Sequence, residues 1–225
     1  MEPAYQVLSW WMAFGGSHTL MSHPPIRARL VRRLGEQGFR AFYSIVALAT
    51  FVPLVATFFT HRAGRGIWLP ALALTPGVWW VTMLVNFCAI LLIVLGFARP
   101  NPISTLRASP ATEARGVLQI TRHPGFMGFA LLGLGHLFVL RAPVDLAFFG
   151  GLLAYSLLGA AHQDWRRLKT DPALRPFYEA TSFWPFAGLW SGRTRFVASE
   201  IPLGVLAAAV LVFFLLFVLH HRLFA

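Results

Sequence analysis

Three histidines in this chain follow a glycine by three residues: Gly15 before His18, Gly133 before His136 and Gly159 before His162. Helical side chains lean toward the N-terminus of their helix, so a glycine at i−3 leaves room where an imidazole points. A neutral imidazole is both a proton carrier and a metal ligand. A histidine beside such a gap therefore suits a flat, bulky prosthetic group. Small residues also let membrane helices approach one another, which is the plainer use of the same spacing. His136 stands out of the three, because residues 125–140 carry no charge and no other group able to bind a proton or a metal. An unpartnered polar group in apolar surroundings is costly, so its presence asks for a function.

The element that must position His136 is Ile120–His136, ITRHPGFMGFALLGLGH. Pro124 lacks a backbone donor and is cheap only in the first helical turn, so it predicts a helix start. The rest of the chain sets the surroundings. Its 225 residues are 57% hydrophobic and 12% charged, with a mean hydropathy of +0.64, which excludes an ordinary soluble domain. Apolar stretches at roughly Tyr5–Met21, Ala41–Phe59, Gly77–Ala98, Gly125–Leu140, Leu146–Ala161 and Ile201–Leu219 predict an all-α polytopic bundle of six transmembrane helices. We expect residues 1–225 to form one transmembrane domain, its first segment a retained helix because it lacks a signal peptide's basic start and cleavage site.

Net charge is +11, and placement decides what it means. Fifteen of the nineteen Lys and Arg fall in the alternate segments 22–40, 99–124 and 162–200. That is the positive-inside pattern, with three basic cytoplasmic loops and both termini on the outer side of what we expect to be a bacterial inner membrane. The excess thus reads as topology and attraction to anionic membrane lipid, not nucleic-acid binding. Cys88 is the single cysteine, which rules out disulfides and thiolate metal clusters.

Between the spans, Ser22–Arg40 predicts a short basic amphipathic turn on the cytoplasmic face, with His23 interfacial and Arg40 at the mouth of the next helix. Pro53 predicts a kink. His61, Arg62 and Arg65 predict an outer loop, Arg99–Arg122 a lid or connector, and Arg141–Asp145 a tight outer turn. The fifth helix ends in His162-Gln163-Asp164-Trp165-Arg166-Arg167, and His220 and His221 read as an interfacial tail.

Four blocks in one order, FGGSHTL, RLGEQGFRAFYS, ITRHPGFMGFALLGLGH and WRRLKTDPALRPFYEATSFWPFAGLWSGR, resemble the NnrU family of membrane proteins, and within it the branch that isomerises ζ-carotene. The resemblance implies a haem b protein that redistributes a central cis double bond of a hydrophobic polyene without net oxidation, with a redox partner to set the iron's state. It implies His18 and His136 as haem-iron ligands and as the catalytic centre. The plant enzymes have a cysteine where this chain has Gly133, so a switch of the iron between histidine and thiolate is not expected here.

From the residues themselves, Gly15 and Gly133 would leave room for the macrocycle, and Arg40, Arg122, Arg166 and Arg167 would pair with its propionates. His123 would shape the cytoplasmic site. Depth is the difficulty. His136 lies roughly 18 Å up its helix and His18 only about 5–8 Å from the cytoplasmic end of its own. His162, and after it His123, are alternative partners at the level of His18. Two other readings stand beside this one. Arg122, His123 and Gly128 are also similar to the S-adenosylmethionine pocket of the isoprenylcysteine methyltransferase group, although that group's paired glutamates are replaced by Gln163 and Asp164. The family name suggests a non-enzymatic haem-handling or accessory role in nitrogen-oxide respiration.

Overall fold

The computed structural model describes residues 2–62, 75–104, 113–140 and 142–224, with side chains to His220. Most of the expected outer loop at 63–74, the middle of the 99–122 connector and Arg141 lie outside the described residues. Five helices open on a proline: α1 Pro3–Ser22, α2 Pro24–His61, α3 Pro76–Ala98, α4 Pro124–Leu137 and α5 Pro143–Thr170. Proline is tolerated in a first turn because its missing donor has no helical partner there and its φ is already set. Two short helices, α6 Arg175–Ala180 and α7 Ala187–Trp190, precede the terminal α8 Leu203–Phe224.

The basic arm expected at 22–40 is helical and continuous with the apolar helix after it. The backbone leaves helical dihedrals at Gly35, with φ 71°, and not at Pro53. Positive φ costs glycine nothing, so the bend falls where the sequence allows it. The fifth helix runs nine residues past its expected end at Ala161, because its polar last turns stay helical. The fourth stops at Leu137 instead of Leu140.

Among the described residues, four helices are long and apolar enough to cross a membrane: α2, α3, α5 and α8. This departs from the expected six. The 14 residues of α4 rise about 21 Å, short of the roughly 30 Å of hydrocarbon. In α1 the apolar run is diluted by Gln6, Ser9, Gly15, Gly16, Ser17 and His18.

The helices neighbour one another in the order α2, α1, α5, α4, α3, α8. Trp11 locks α1 to α5: its indole N–H donates to the Phe148 carbonyl at 3.1 Å, and its ring fills the notch that Gly151 leaves open. Val7, Leu54, Phe58 and Phe149 complete that buried cluster. Helix α4 is gripped on both sides through its glycines. Gly128 and Gly135 face α3, while Gly133 faces the α5 backbone. At the polar end, Ile103, Leu118, Leu174, Phe177 and Tyr178 form a separate apolar cluster. There Glu200 accepts from the Gly116 amide and the Gln119 side chain at 2.8 Å each, stitching the strap before α4 to the segment before α8.

Candidate functional site

Arg122 and His123 enter α4 side by side, and both meet Asp164 near the polar end of α5. Arg122 Nε donates to Asp164 Oδ2 at 2.8 Å, and His123 Nε2 donates to Oδ1 at 2.6 Å. The His123 side chain is wholly buried, and those of Arg122 and Asp164 are each 14% exposed. Arg122 also donates to the Thr181 carbonyl at 3.3 Å and lies over the Tyr178 ring. The Tyr178 hydroxyl is buried beside Asp164, and burial and that carboxylate push its pKa well above the usual range. The arrangement is a closed latch between α4, α5 and the segment after α6. Asp164, the sole acid between Asp145 and Asp171, joins the latch only through the fold.

The four arginines offered for propionates therefore differ. Arg122 is committed to Asp164. Arg167 donates to the carbonyls of Pro102, Ile103 and Ser104, holding the connector against α5. Arg40 is exposed and pairs loosely with Glu36 at 3.4 Å. Arg166 pairs with no acid among the described residues, and its buried Nε has no hydrogen-bond partner.

His18 sits where α1, α2 and α5 meet. Its ring packs against Phe14 at 4.1 Å and Tyr43 at 4.8 Å, with Tyr155 at 6.2 Å. Neither tyrosine was singled out from sequence, since aromatic residues are frequent here and only the fold brings these two to one imidazole. Nδ1 of His18 donates to the Phe14 carbonyl at 2.9 Å, and Nδ1 of His136 to the Leu132 carbonyl at 2.8 Å. Each donation leaves Nε2 as the remaining ring nitrogen, the tautomer a metal ligand needs. That preference is local to helices, because the exposed His61 makes the same bond to Thr57.

His136 lies flat against Phe149, ring centroids 4.3 Å apart and planes 9° from parallel. Its other ring neighbour is His220 at 6.2 Å. Phe149 and Tyr155 mark the levels of His136 and His18 on α5, and six residues of helix are about 9 Å. Two imidazoles on one metal, with bonds of about 2 Å each, need their nitrogens within roughly 4 Å. The structure does not bring His18 and His136 to one level, so a two-histidine clamp on haem iron does not fit this arrangement. Taken singly, each histidine has the anchored tautomer of one axial ligand. His162 instead faces His23 at 6.4 Å and Trp165 at 5.6 Å. Among the described residues no group of three or more His, Cys, Asp or Glu gathers at one point.

The gaps beside the histidines are taken by protein. A Cβ on Gly133 would stand 2.7 Å from the Phe149 carbonyl oxygen, one on Gly15 would stand 3.1 Å from the Tyr155 ring, and one on Gly159 would stand 3.0 Å from Phe126. The recurring spacing serves close helix packing: toward α5, Gly15 and Gly133 leave no open slot. Gly128 is likewise pressed on α3, with Ala89 O 2.8 Å from the position of a Cβ.

Among the described residues the fold is an all-helical bundle with four helices long and apolar enough to cross a membrane and a buried His-Asp-Arg latch at one end. The NnrU protein family matches residues 7–225, and the chain belongs to that family. It is 27% identical over 168 residues to a chloroplastic 15-cis-zeta-carotene isomerase of Arabidopsis thaliana, covering 71% of this chain and 44% of that protein. To the protein of the same description from Zea mays it is 25% identical over 171 residues, covering 72% of this chain and 44% of that one. The chain thus spans less than half the length of these relatives. No solved structure matches it.

Proposed function

We propose that this protein is a cis–trans isomerase of a hydrophobic polyene of the ζ-carotene type, working within a membrane. The observation that carries the reading is the likeness to two plant isomerases over more than two thirds of the chain, inside a family match that spans nearly all of it. Helices long enough to cross hydrocarbon suit a substrate that dissolves only there.

Isomerisation adds and removes no atoms; one π bond must weaken, its ends rotate, and the bond re-form. Haem b, which His18 or His136 would hold, would supply redox chemistry at the polyene. A redox partner would keep that iron reduced. The chain's own contribution is positional. Phe149 fixes the plane of His136, and Phe14 and Tyr43 confine His18. The apolar helix faces exclude water and align the polyene. The basic segments face the cytoplasm in this reading, by the positive-inside rule.

The test is turnover. Detergent-purified, haem-replete protein is incubated with 15-cis-ζ-carotene and a reductant, and the isomers are separated by chromatography. Loss of the central cis isomer is expected. An unchanged polyene, in a preparation where the Arabidopsis isomerase converts it, overturns the reading. Nothing in the geometry favours the methyltransferase alternative, because Arg122 and His123 are committed to Asp164 and Gly128 abuts α3.

A further inference from the structure

At the polar end of α1, α2 and α5 a second cluster is built the opposite way from the latch: its cations outnumber its acids, and the one carboxylate, Glu36, pairs with Arg27 and Arg40 and not with Arg166. His162 and Arg166 lie one turn apart on α5. His162 Nε2 and Arg166 Nε are both buried, and neither has a hydrogen-bond partner. The charges that face Arg166 are Arg167 and Arg27, together with the Tyr43 and Tyr178 hydroxyls. Arg167 is spent on the 102–104 carbonyls. Arg27 shares Glu36 with Arg40. His23, in the turn between α1 and α2, lies parallel to Trp165 at 5.1 Å and near His162.

A half-buried guanidinium among like charges is costly unless something neutralises it. Two buried nitrogens one helical turn apart, neither with a partner among the described residues, suit an acceptor with several oxygens, and guanidinium matches phosphate in its planar fork. A groove of about 520 Å³ adjoins the cluster, lined by Gly15, Gly16, Thr19, Leu20 and His23. No atom beyond the neighbouring residues and backbone of α1 itself lies within 4 Å of where a Cβ on Gly16 would stand, so the groove is open along α1. His23 belongs to both features, which places an apolar channel beside an anion-seeking pocket.

We propose that Arg166, His162 and His23 form a binding site for the phosphate of an anionic amphiphile, a membrane lipid whose acyl chain runs in the Gly15–Gly16 groove. The size of the site is set by three side chains and one groove, so it takes one lipid and not a general annulus. A zwitterionic lipid presents the same phosphate beside a cation, which Arg166, Arg167 and Arg27 repel; net negative charge is therefore part of the specificity.

The experiment uses the full chain, stripped of lipid in detergent, with binding read by native mass spectrometry and by thermal shift. The probes are phosphatidylglycerol, phosphatidylcholine and inorganic phosphate. One phosphatidylglycerol per chain is expected, with a raised Tm and weaker binding of phosphatidylcholine. Arg166→Gln should weaken phosphatidylglycerol binding by about tenfold or more, near 1.4 kcal/mol, while Arg166→Lys keeps part of it. His162→Ala, which leaves Arg166 in place, should show a smaller loss and guards against misfolding of the arginine variant. Inorganic phosphate that matches the lipid in both readouts would keep the anion site and replace the lipid by free phosphate. Equal binding of phosphatidylglycerol to wild type and to both Arg166→Gln and His162→Ala, or equal binding of the two lipids to wild type, overturns the proposal.

Discussion

Asp164 holds two donors with one carboxylate, and its removal strands both. Breaking one side of a buried ion pair costs about 3–5 kcal/mol, because the remaining charge stays desolvated without a partner. At 14% exposure the lower end applies, so Asp164→Asn should destabilise the protein by about 3 kcal/mol, read as a lowered Tm in detergent. Replacing Glu113, whose ion pair with Arg115 is two-thirds exposed, should leave Tm within measurement error. An equal loss from both would mean that the latch is no more than a surface pair. The basic and imidazole members of this latch were legible in the sequence, because R-H-P sits at a helix start. Asp164 was not, since its partners lie 41 and 42 positions away and only the fold joins them. His18 and His136 were likewise visible one at a time, while the levels they occupy depend on how α1 and α4 slide against α5.

At the scale of elements the sequence was most readable where local chemistry decides. Pro124 opens α4 as its missing donor predicts, whereas the kink expected at Pro53 falls at Gly35. The glycines of α4 were harder, because an absent side chain looks the same in sequence whether a cofactor or a neighbouring helix takes the space. Here the neighbour takes it, and that is testable. Gly133→Ala puts a methyl 2.7 Å from the Phe149 carbonyl oxygen and 3.1 Å from the Leu153 amide, both backbone atoms that move only with their helix. Overpacking of that kind costs about 1–3 kcal/mol. Gly150→Ala, on α5 with nothing within 4 Å, should be neutral or slightly stabilising. Similar melting temperatures for the two variants would place the α4–α5 contact further apart than the structure has it.

At the scale of the molecule, the order α2, α1, α5, α4, α3, α8 sets α1 and α4 on either side of α5. Nothing in a hydropathy pattern fixes that order or the relative heights of the helices, which follow from interlocks such as Trp11 in the Gly151 notch and Gly133 against Phe149. The heights decide the ligand question. With His18 at the level of Tyr155 and His136 at that of Phe149, an iron bound as proposed would reach one of them and not both. In haem-replete protein, His18→Ala and His136→Ala should therefore behave differently: one loses the Soret band and the other keeps it with unchanged position and intensity. Collapse in both variants, with helix content and elution volume preserved, would require the bundle to bring the two histidines together on binding, by a slide of roughly 9 Å along α5 that would break the Trp11 bond to the Phe148 carbonyl. A parallel Trp11→Phe variant separates the two cases, since it removes that bond and shrinks the ring in the Gly151 notch, loosening the interlock that opposes the slide. It would ease haem uptake if the slide is needed and leave uptake unchanged if a single histidine suffices.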